Sequence, residues 1–183
     1  SEHGEWRPGP GAELLEALRD AIGWLPIIAE DLGFITPPVD ALRQEFGLPG
    51  MRILQFAFGG AVEQRFLPHR FDSNLIVYTG THDNDTTKGW YEKLTPAERE
   101  NYLRYVPDAK ADPVRSLVRQ AWSSVADCAM VPLQDLLGLG SDARMNTPGT
   151  PTGNWRWRMS EGDARNDDWV GWVAELSSTY ERA

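Results

Sequence analysis

Four short apolar segments recur along this 183-residue chain, and each is followed by a helical pattern or by a long loop. They occupy residues 25–33, 51–58, 75–78 and 128–133. Strands that alternate with helices predict an α/β fold with a parallel sheet. Because a closed (β/α)8 barrel needs eight such units, we expect half of a barrel, with the other half absent from the sequence.

The first apolar segment, residues 25–33, ends in two adjacent carboxylates, Glu30 and Asp31. Pro26 suits the start of a strand better than the interior of a helix, so we predict a buried strand here. In α/β barrels the residues at the carboxyl ends of strands carry the chemistry. Glu30 is therefore the first candidate for a catalytic acid, and a pair of solvated loop carboxylates is the alternative.

A second polar cluster, residues 79–87, follows the strand predicted at 75–78. It contains His82 and Asp83, which would lie at the same edge of the sheet as Glu30. Two carboxylate sites at strand ends favour a glycosidase, in which one acid protonates the leaving oxygen and another carboxylate attacks or stabilises the sugar cation. A metal site is less favoured, because adjacent residues on a turn rarely bind one ion and no second His lies at helical spacing.

The rest of the chain shows helical periodicity interrupted by loops rich in Gly, Pro and polar residues. Thr95 and Glu98 form a capping box, which is a typical helix start. We predict helices at about 13–22, 36–46, 95–105, 112–126 and 166–180, and long loops at 59–74 and 138–162.

Charge and cysteine content exclude several classes of partner. The chain has 27 acidic and 18 basic residues, and its net charge of -9 repels phosphate backbones, so nucleic acid is not an expected partner. Cys128 is the only cysteine, which excludes an intrachain disulfide and favours a cytoplasmic location. The sequence has no signal-peptide pattern and no apolar run of about 20 residues, so we expect no membrane association.

Four longer motifs carry a resemblance to a known family. They read IIAEDLG at 27–33, GMRILQFAF at 50–58, YTGTHDNDTT at 78–87 and GSDARMNTPG at 140–149, the last followed by GNWRW at 153–157. In this order they resemble the motifs of glycoside hydrolase family 77, the 4-α-glucanotransferases known as amylomaltase or disproportionating enzyme. The resemblance runs from about residue 6 to residue 158.

The resemblance implies a retaining double displacement on α-1,4-glucans, without a cofactor, in a (β/α)8 barrel. Residues 1–183 would then be part of one catalytic domain, the C-terminal half of the barrel with strands five to eight. Glu30 matches the general acid/base, and Asp83 matches the carboxylate that stabilises the transition state. His82 would bind substrate beside Asp83, and Phe56 and Asn146 would line the glucan groove.

The family nucleophile is an aspartate in an Arg-Ile-Asp-His motif, and this sequence contains no such motif. We therefore expect the 183 residues alone to be inactive and to need the first half of the barrel. An α-amylase-type retaining hydrolase and a non-catalytic glucan-binding fragment are the alternatives. Four aromatic residues are interpreted as core or loop packing in preference to sugar platforms, namely Phe56, Phe58, Trp155 and Trp157.

Overall fold

The computed structural model describes residues 4–5, 7–23, 26–59 and 64–182. The chain divides into two compact units, residues 1–51 and residues 52–183. Helices and a small sheet are both present, so the predicted α/β class is confirmed. No helix among the described residues is long and apolar enough to span a bilayer.

The first unit contains two helices at the predicted places, α1 (Ala12–Ile22) and α2 (Pro37–Glu45). Helix α1 ends at Gly23, whose φ of 77° is in the left-handed region that favours glycine. The Gly23 N–H donates to the Arg19 carbonyl at 2.9 Å and so satisfies one of the last carbonyls of the helix. Both boundaries follow from local signals, a glycine stop and a proline start.

The strand predicted at 25–33 is wrong. Leu25 lies outside the described residues, and residues 26–33 form neither strand nor helix. Ile28 is 42% exposed and Glu30 is exposed, whereas a buried parallel strand needs apolar cover on both faces. Within the first unit helix α1 contributes no buried residue, so that cover does not form.

Strand β1 (Gly50–Ile53) crosses the boundary between the units, and the second unit adds β2 (Leu75–Tyr78) and β3 (Cys128–Met130). The sheet order is β1-β2-β3. Strands β2 and β3 are parallel, with Val77 opposite Ala129. The described residues therefore hold three strands where the sequence predicted four. The predicted strand at 51–58 stops at Ile53, after which Leu54–Phe58 form a 3-10 helix.

The described part of the second unit also contains six α-helices. The capping box of Thr95 and Glu98 is present, with Thr95 Oγ1 accepting from the Glu98 N–H at 3.3 Å. The helices at 95–105 and 166–180 are confirmed, whereas the one at 112–126 ends four residues early. The six helices are α3 (Thr87–Lys93), α4 (Pro96–Tyr105), α5 (Pro113–Trp122), α6 (Leu133–Leu136), α7 (Glu161–Ala164) and α8 (Asp167–Thr179).

The two predicted loops contain short helical turns. Gln64–Phe66 and Pro68–Arg70 are 3-10 helices within the loop at 59–74, of which residues 60–63 lie outside the described part. Ser141–Ala143 form a further 3-10 turn within the loop at 138–162. These turns shorten both irregular segments.

The core of the second unit is built around aromatic side chains. Phe58 is fully buried, and its ring centroid lies 4.9 Å from that of Tyr102 and 6.2 Å from that of Trp90. Aromatic pairs at such separations add about 0.5–1.5 kcal/mol to the area they bury. Phe58 is therefore a core residue, as predicted. Val77 of β2 is also fully buried, so the strand leads out of this core to its carboxyl end.

Candidate active site

The carboxyl end of β2 continues into a tight polar turn. Asn84 closes the turn, because its Oδ1 accepts from the backbone N–H and the hydroxyl of Thr81, each at 2.9 Å. The Asn84 N–H donates in turn to the Thr81 carbonyl at 3.1 Å. The two residues between them, His82 and Asp83, therefore project outward, and the side chains of both are about half exposed.

Asn146 joins this turn from a distant part of the chain. Its side-chain Nδ2 donates to Asp83 Oδ1, and its backbone N–H donates to the His82 carbonyl at 3.1 Å. His82 Nε2 lies 3.4 Å from the same Asp83 oxygen. Three of the predicted site residues are thus brought together by the fold.

Arg144 holds the two segments in place, and sequence reasoning did not predict it as a site residue. Its Nη2 donates to the Asp83 carbonyl at 2.7 Å, and its Nε donates to the Asn146 carbonyl at 2.8 Å. The rigid fork of a guanidinium suits such a double contact. The signal that could have found it is its place two residues before Asn146 in the same motif.

A buried carboxylate supports the turn from beneath. Asp135 accepts hydrogen bonds from the Thr79 hydroxyl at 2.6 Å, from the Thr87 hydroxyl at 2.6 Å and from the Thr87 N–H at 2.7 Å. Burial raises the pKa of the Asp135 carboxyl, and these hydrogen bonds oppose only part of the rise. Asp135 therefore fixes both ends of the 79–87 segment to helix α6.

A second carboxylate, Asp85, holds the turn at the start of helix α3. Asp85 Oδ2 pairs with Lys93 Nζ and accepts from the Ser141 hydroxyl at 2.8 Å. Burial acts to raise the pKa of Asp85, but the hydrogen bonds from Lys93 and Ser141 outweigh it and hold the pKa below its ordinary value. The turn is thereby tied to the 3-10 helix Ser141–Ala143, which precedes Arg144.

Replacing Lys93 by Met is expected to lower the free energy of unfolding by about 0.2–1 kcal/mol near neutral pH. The effect is small because the ammonium is largely solvent-exposed. Folding lowers the pKa of Asp85 from 3.8. The ionised Asp85 carboxylate therefore stabilises the folded state fully above that pH, and this contribution is lost as the pH falls through the folded-state pKa. Urea unfolding at about pH 7 and about pH 3 should show a difference that shrinks in acid.

The control for this substitution is Lys110→Met, because Lys110 is an exposed lysine in a separate 3-10 helix. The difference in free energy of unfolding between Lys110→Met and the unsubstituted protein should be the same at both pH values. A Lys93→Met effect that persists unchanged at about pH 3 would contradict the assignment of the ion pair to Asp85.

A cleft of about 230 Å³ opens beside the turn. Its walls include Thr81, His82, Arg144 and Trp155. The Trp155 ring centroid lies 5.1 Å from that of His82, and the two ring planes are inclined at 38°. Polar side chains and an aromatic ring therefore stand around one small cleft, which suits a polyhydroxylated ligand.

The described residues contain no group of three or more His, Cys, Asp or Glu side chains that could hold a metal ion. His82 and Asp83 lie against each other and contact Asn146, while Arg144 donates to the Asp83 carbonyl and the Trp155 ring lies beside His82.

Glu30 lies in the first unit, and its carboxylate neighbour has a different environment. Asp31 is buried, and its Oδ1 accepts from the Met51 N–H at 2.7 Å. A Cβ at Gly50 would lie 2.6 Å from Asp31 Oδ2, so only glycine leaves room for that carboxylate. Asp31 is thus committed to the backbone at the start of β1, whereas Glu30 is exposed.

Phe56 belongs to the 3-10 helix Leu54–Phe58 of the second unit and is 40% exposed. Its ring meets that of Phe66 edge to face, with centroids 5.3 Å apart. Among the described residues, Phe56 does not line the cleft beside His82, and neither do Asp83 and Asn146, but the structure gives Phe56 no hydrogen-bonded link to the turn at 79–87 such as Asn146 has. The geometry therefore brings Asp83, His82 and Asn146 together and leaves Phe56 with a packing contact.

Comparisons with known proteins agree with the motifs. A family model for glycoside hydrolase family 77, described as 4-alpha-glucanotransferase, matches residues 1–164. A 4-alpha-glucanotransferase of Synechocystis sp. is 49% identical over 185 residues, which cover 100% of this chain and 36% of that protein. The 4-alpha-glucanotransferase of Thermus thermophilus is 48% identical over 168 residues, covering 87% of this chain and 34% of that protein.

The solved structure of amylomaltase from Streptococcus agalactiae in complex with acarbose is similar, with a TM-score of 0.91 and 35% identity. The similarity covers 98% of this chain and 37% of that chain. The chain thus spans about a third of the length of the curated relatives it matches. Since the family model matches residues 1–164 of 183, the chain belongs to the 4-alpha-glucanotransferases of glycoside hydrolase family 77.

Proposed function

We propose that this chain is part of a longer protein, which we call the full-length protein, and that this protein is a 4-α-glucanotransferase. It transfers α-1,4-glucan segments to an acceptor sugar by a retaining double displacement. The observation that carries the proposal is the half-exposed Asp83 carboxylate, held by Asn146 and flanked by His82 at the carboxyl end of a parallel strand. The relative described in complex with acarbose supports an α-glucan ligand.

Glu30 is proposed as the general acid/base. Of the two adjacent carboxylates only Glu30 is exposed, because Asp31 is buried and bound to the Met51 N–H. A general acid must come within hydrogen-bond reach of the glycosidic oxygen, and a buried carboxylate committed to the backbone cannot do so. Both the motif and the different exposure of the two carboxylates therefore support Glu30, and not Asp31, as the general acid/base.

Asp83 is proposed to stabilise the positive charge that develops on the sugar ring. Glycoside cleavage passes through an oxocarbenium-like transition state, which a fixed carboxylate favours electrostatically. Arg144 fixes the backbone of Asp83 through its carbonyl, and Asn146 fixes the side chain. The carboxylate is therefore oriented before substrate arrives, which is the condition for this form of catalysis. His82 and Asn146 act beside it in substrate binding, and Phe56 is kept as a proposed groove residue.

The proposed architecture is the C-terminal half of a (β/α)8 barrel within one catalytic domain that includes residues 1–183. Three features support it: the three-stranded sheet, the coverage of about a third of each relative, and the exposed apolar side chains of the first unit. Phe34 is 86% exposed, and Leu14 and Ile22 of helix α1 are each more than half exposed. The N-terminal half of the barrel would cover such side chains.

A maltotriose assay on two samples tests the proposal. The full-length protein should release glucose and form a ladder of longer maltooligosaccharides. The 183-residue chain alone should release none, because it lacks the Arg-Ile-Asp-His aspartate that would form the covalent intermediate.

Each contrary outcome identifies another function. Glucose without longer products would indicate a hydrolase, and binding of maltoheptaose without turnover would indicate a glucan-binding protein. Glucose release by the 183-residue chain would show that the nucleophile lies within it and would overturn the role given to Asp83.

A further inference from the structure

Trp155 has an unusual backbone conformation. Its φ of 62° is in the left-handed region, which bulky L-residues rarely adopt. In the same loop, Gly149 and Gly153 also have positive φ, 80° and 88°, which glycine adopts without strain. Position 155 therefore carries a large aromatic side chain where glycine would remove the strain.

Burial does not compensate for this strain, because the Trp155 side chain is 52% exposed. Hydrogen bonds on both sides hold the backbone in place. The Trp155 N–H donates to the Met145 carbonyl at 2.7 Å, and Arg158 Nη1 donates to the Trp155 carbonyl at 2.8 Å. An exposed ring on a strained and well-held backbone points to a functional role, since strain of this kind concentrates at binding sites.

The surroundings of the ring define what it could bind. Trp155 lines the 230 Å³ cleft together with His82 and Arg144, and its ring packs against the His82 imidazole. His82 in turn lies 3.4 Å from the Asp83 carboxylate. A pyranose has the matching chemistry, because its C–H face packs on an aromatic ring while its hydroxyls meet charged and amide groups.

We propose that Trp155 is the stacking platform for a glucosyl residue bound in this cleft beside His82 and Asp83. The proposal rests on the proposed glucanotransferase function and adds to it a specificity-determining residue. The cleft is smaller than the roughly 300–1,000 Å³ of pockets for drug-sized ligands, so it suits one sugar ring. The sequence alone had favoured loop packing for Trp155, and its exposure in this loop reverses that interpretation.

The test uses three substitutions in the full-length protein: Trp155→Gly, Trp155→Ala and Trp155→Phe. Trp155→Gly removes the ring and also relieves the backbone strain, so the melting temperature should stay equal or rise. The KM for maltotriose should nevertheless rise about tenfold, equivalent to about 1.4 kcal/mol, with kcat changed much less. Trp155→Ala should raise KM to a similar degree, and Trp155→Phe should keep KM within about threefold because a ring remains.

Glu181→Gly is the matched control, because Glu181 is the other described non-glycine residue with positive φ, at 53°. It should raise the melting temperature without changing KM. A fall in the melting temperature of Trp155→Gly would show that the ring is a structural element and would overturn the proposal. An unchanged KM in Trp155→Gly would overturn it as well.

Isothermal titration of wild type and Trp155→Gly with maltoheptaose separates this proposal from the proposed function. If the wild type binds maltoheptaose but does not transfer glucan segments, glucanotransferase activity is refuted. The stacking role of Trp155 is then tested by binding alone. Affinity reduced about tenfold in Trp155→Gly then supports the platform, and equal affinity refutes it.

Discussion

Replacing Glu30 by Gln in the full-length protein is expected to lower the rate of maltotriose transfer by about 10²–10⁴-fold, the usual contribution of a general acid/base. Gln has nearly the same shape as Glu but cannot give a proton to the leaving oxygen. Binding of maltotriose should therefore remain within a few fold of wild type. The measurement is the initial rate of glucose release, with KM determined separately.

A donor that needs no protonation separates the role of Glu30 from a general disturbance of the site. With α-maltotriosyl fluoride the first step requires little acid help, so the Glu30→Gln protein should lose less activity on this donor than on maltotriose. Glu45→Gln is the control, since Glu45 is an exposed carboxylate in the same unit at the end of α2. A loss of less than about tenfold on maltotriose would show that Glu30 is not the acid/base.

The sequence predicted well those elements whose boundaries are set by neighbouring residues. Helix α4 begins where Thr95 and Glu98 cap it, and helix α1 stops where Gly23 adopts a positive φ. Helix α5 shows the limit of this reasoning. The guanidinium of Arg182 binds the carbonyls of Trp122, Ser124 and Ala126, so the chain turns where the periodicity alone predicted continued helix.

Helix α3 was not predicted from the sequence, again because a long-range contact determines the local residue. Gly89 within it lowers helix propensity by about 1 kcal/mol and concealed the pattern. The structure explains the glycine, because a Cβ at this position would collide with the Ser141 hydroxyl and lie 2.8 Å from Asp85 Oδ1. A residue that weakens the local signal is thus required by a contact with a segment about 50 residues away in sequence.

The candidate site shows the same contrast between local sequence signals and long-range contacts. Asp83, His82 and Asn146 were found through motifs, but the pairing of Asp83 with Asn146 joins positions 63 residues apart, which no local pattern encodes. Asp135 and Arg144 were missed because their roles consist of long-range hydrogen bonds to the turn at 79–87. The strand predicted at 25–33 failed because an apolar run indicates burial only where other elements supply cover.

Replacing Asp83 by Asn is expected to lower transfer by about 10²–10³-fold on maltotriose. The substitution removes the negative charge that favours the oxocarbenium-like transition state, and it places an amide opposite the Nδ2 donor of Asn146. This charge acts on the sugar ring and not on the leaving group. The loss should therefore be as large with α-maltotriosyl fluoride as with maltotriose, measured as initial rates on both donors.

The comparison with Glu30→Gln decides whether the two carboxylates have different roles. Asp108→Asn is the control for Asp83, because Asp108 is an exposed aspartate in the 3-10 helix Pro107–Lys110 of the same unit, and it should retain nearly full activity on both donors. If Asp83→Asn instead spared the fluoride donor as much as Glu30→Gln does, the charge of Asp83 could not be acting on the sugar ring. Asp83 would then belong to leaving-group chemistry, and the hydrogen bonds from Asn146 and Arg144 would hold a proton donor and not an electrostatic stabiliser.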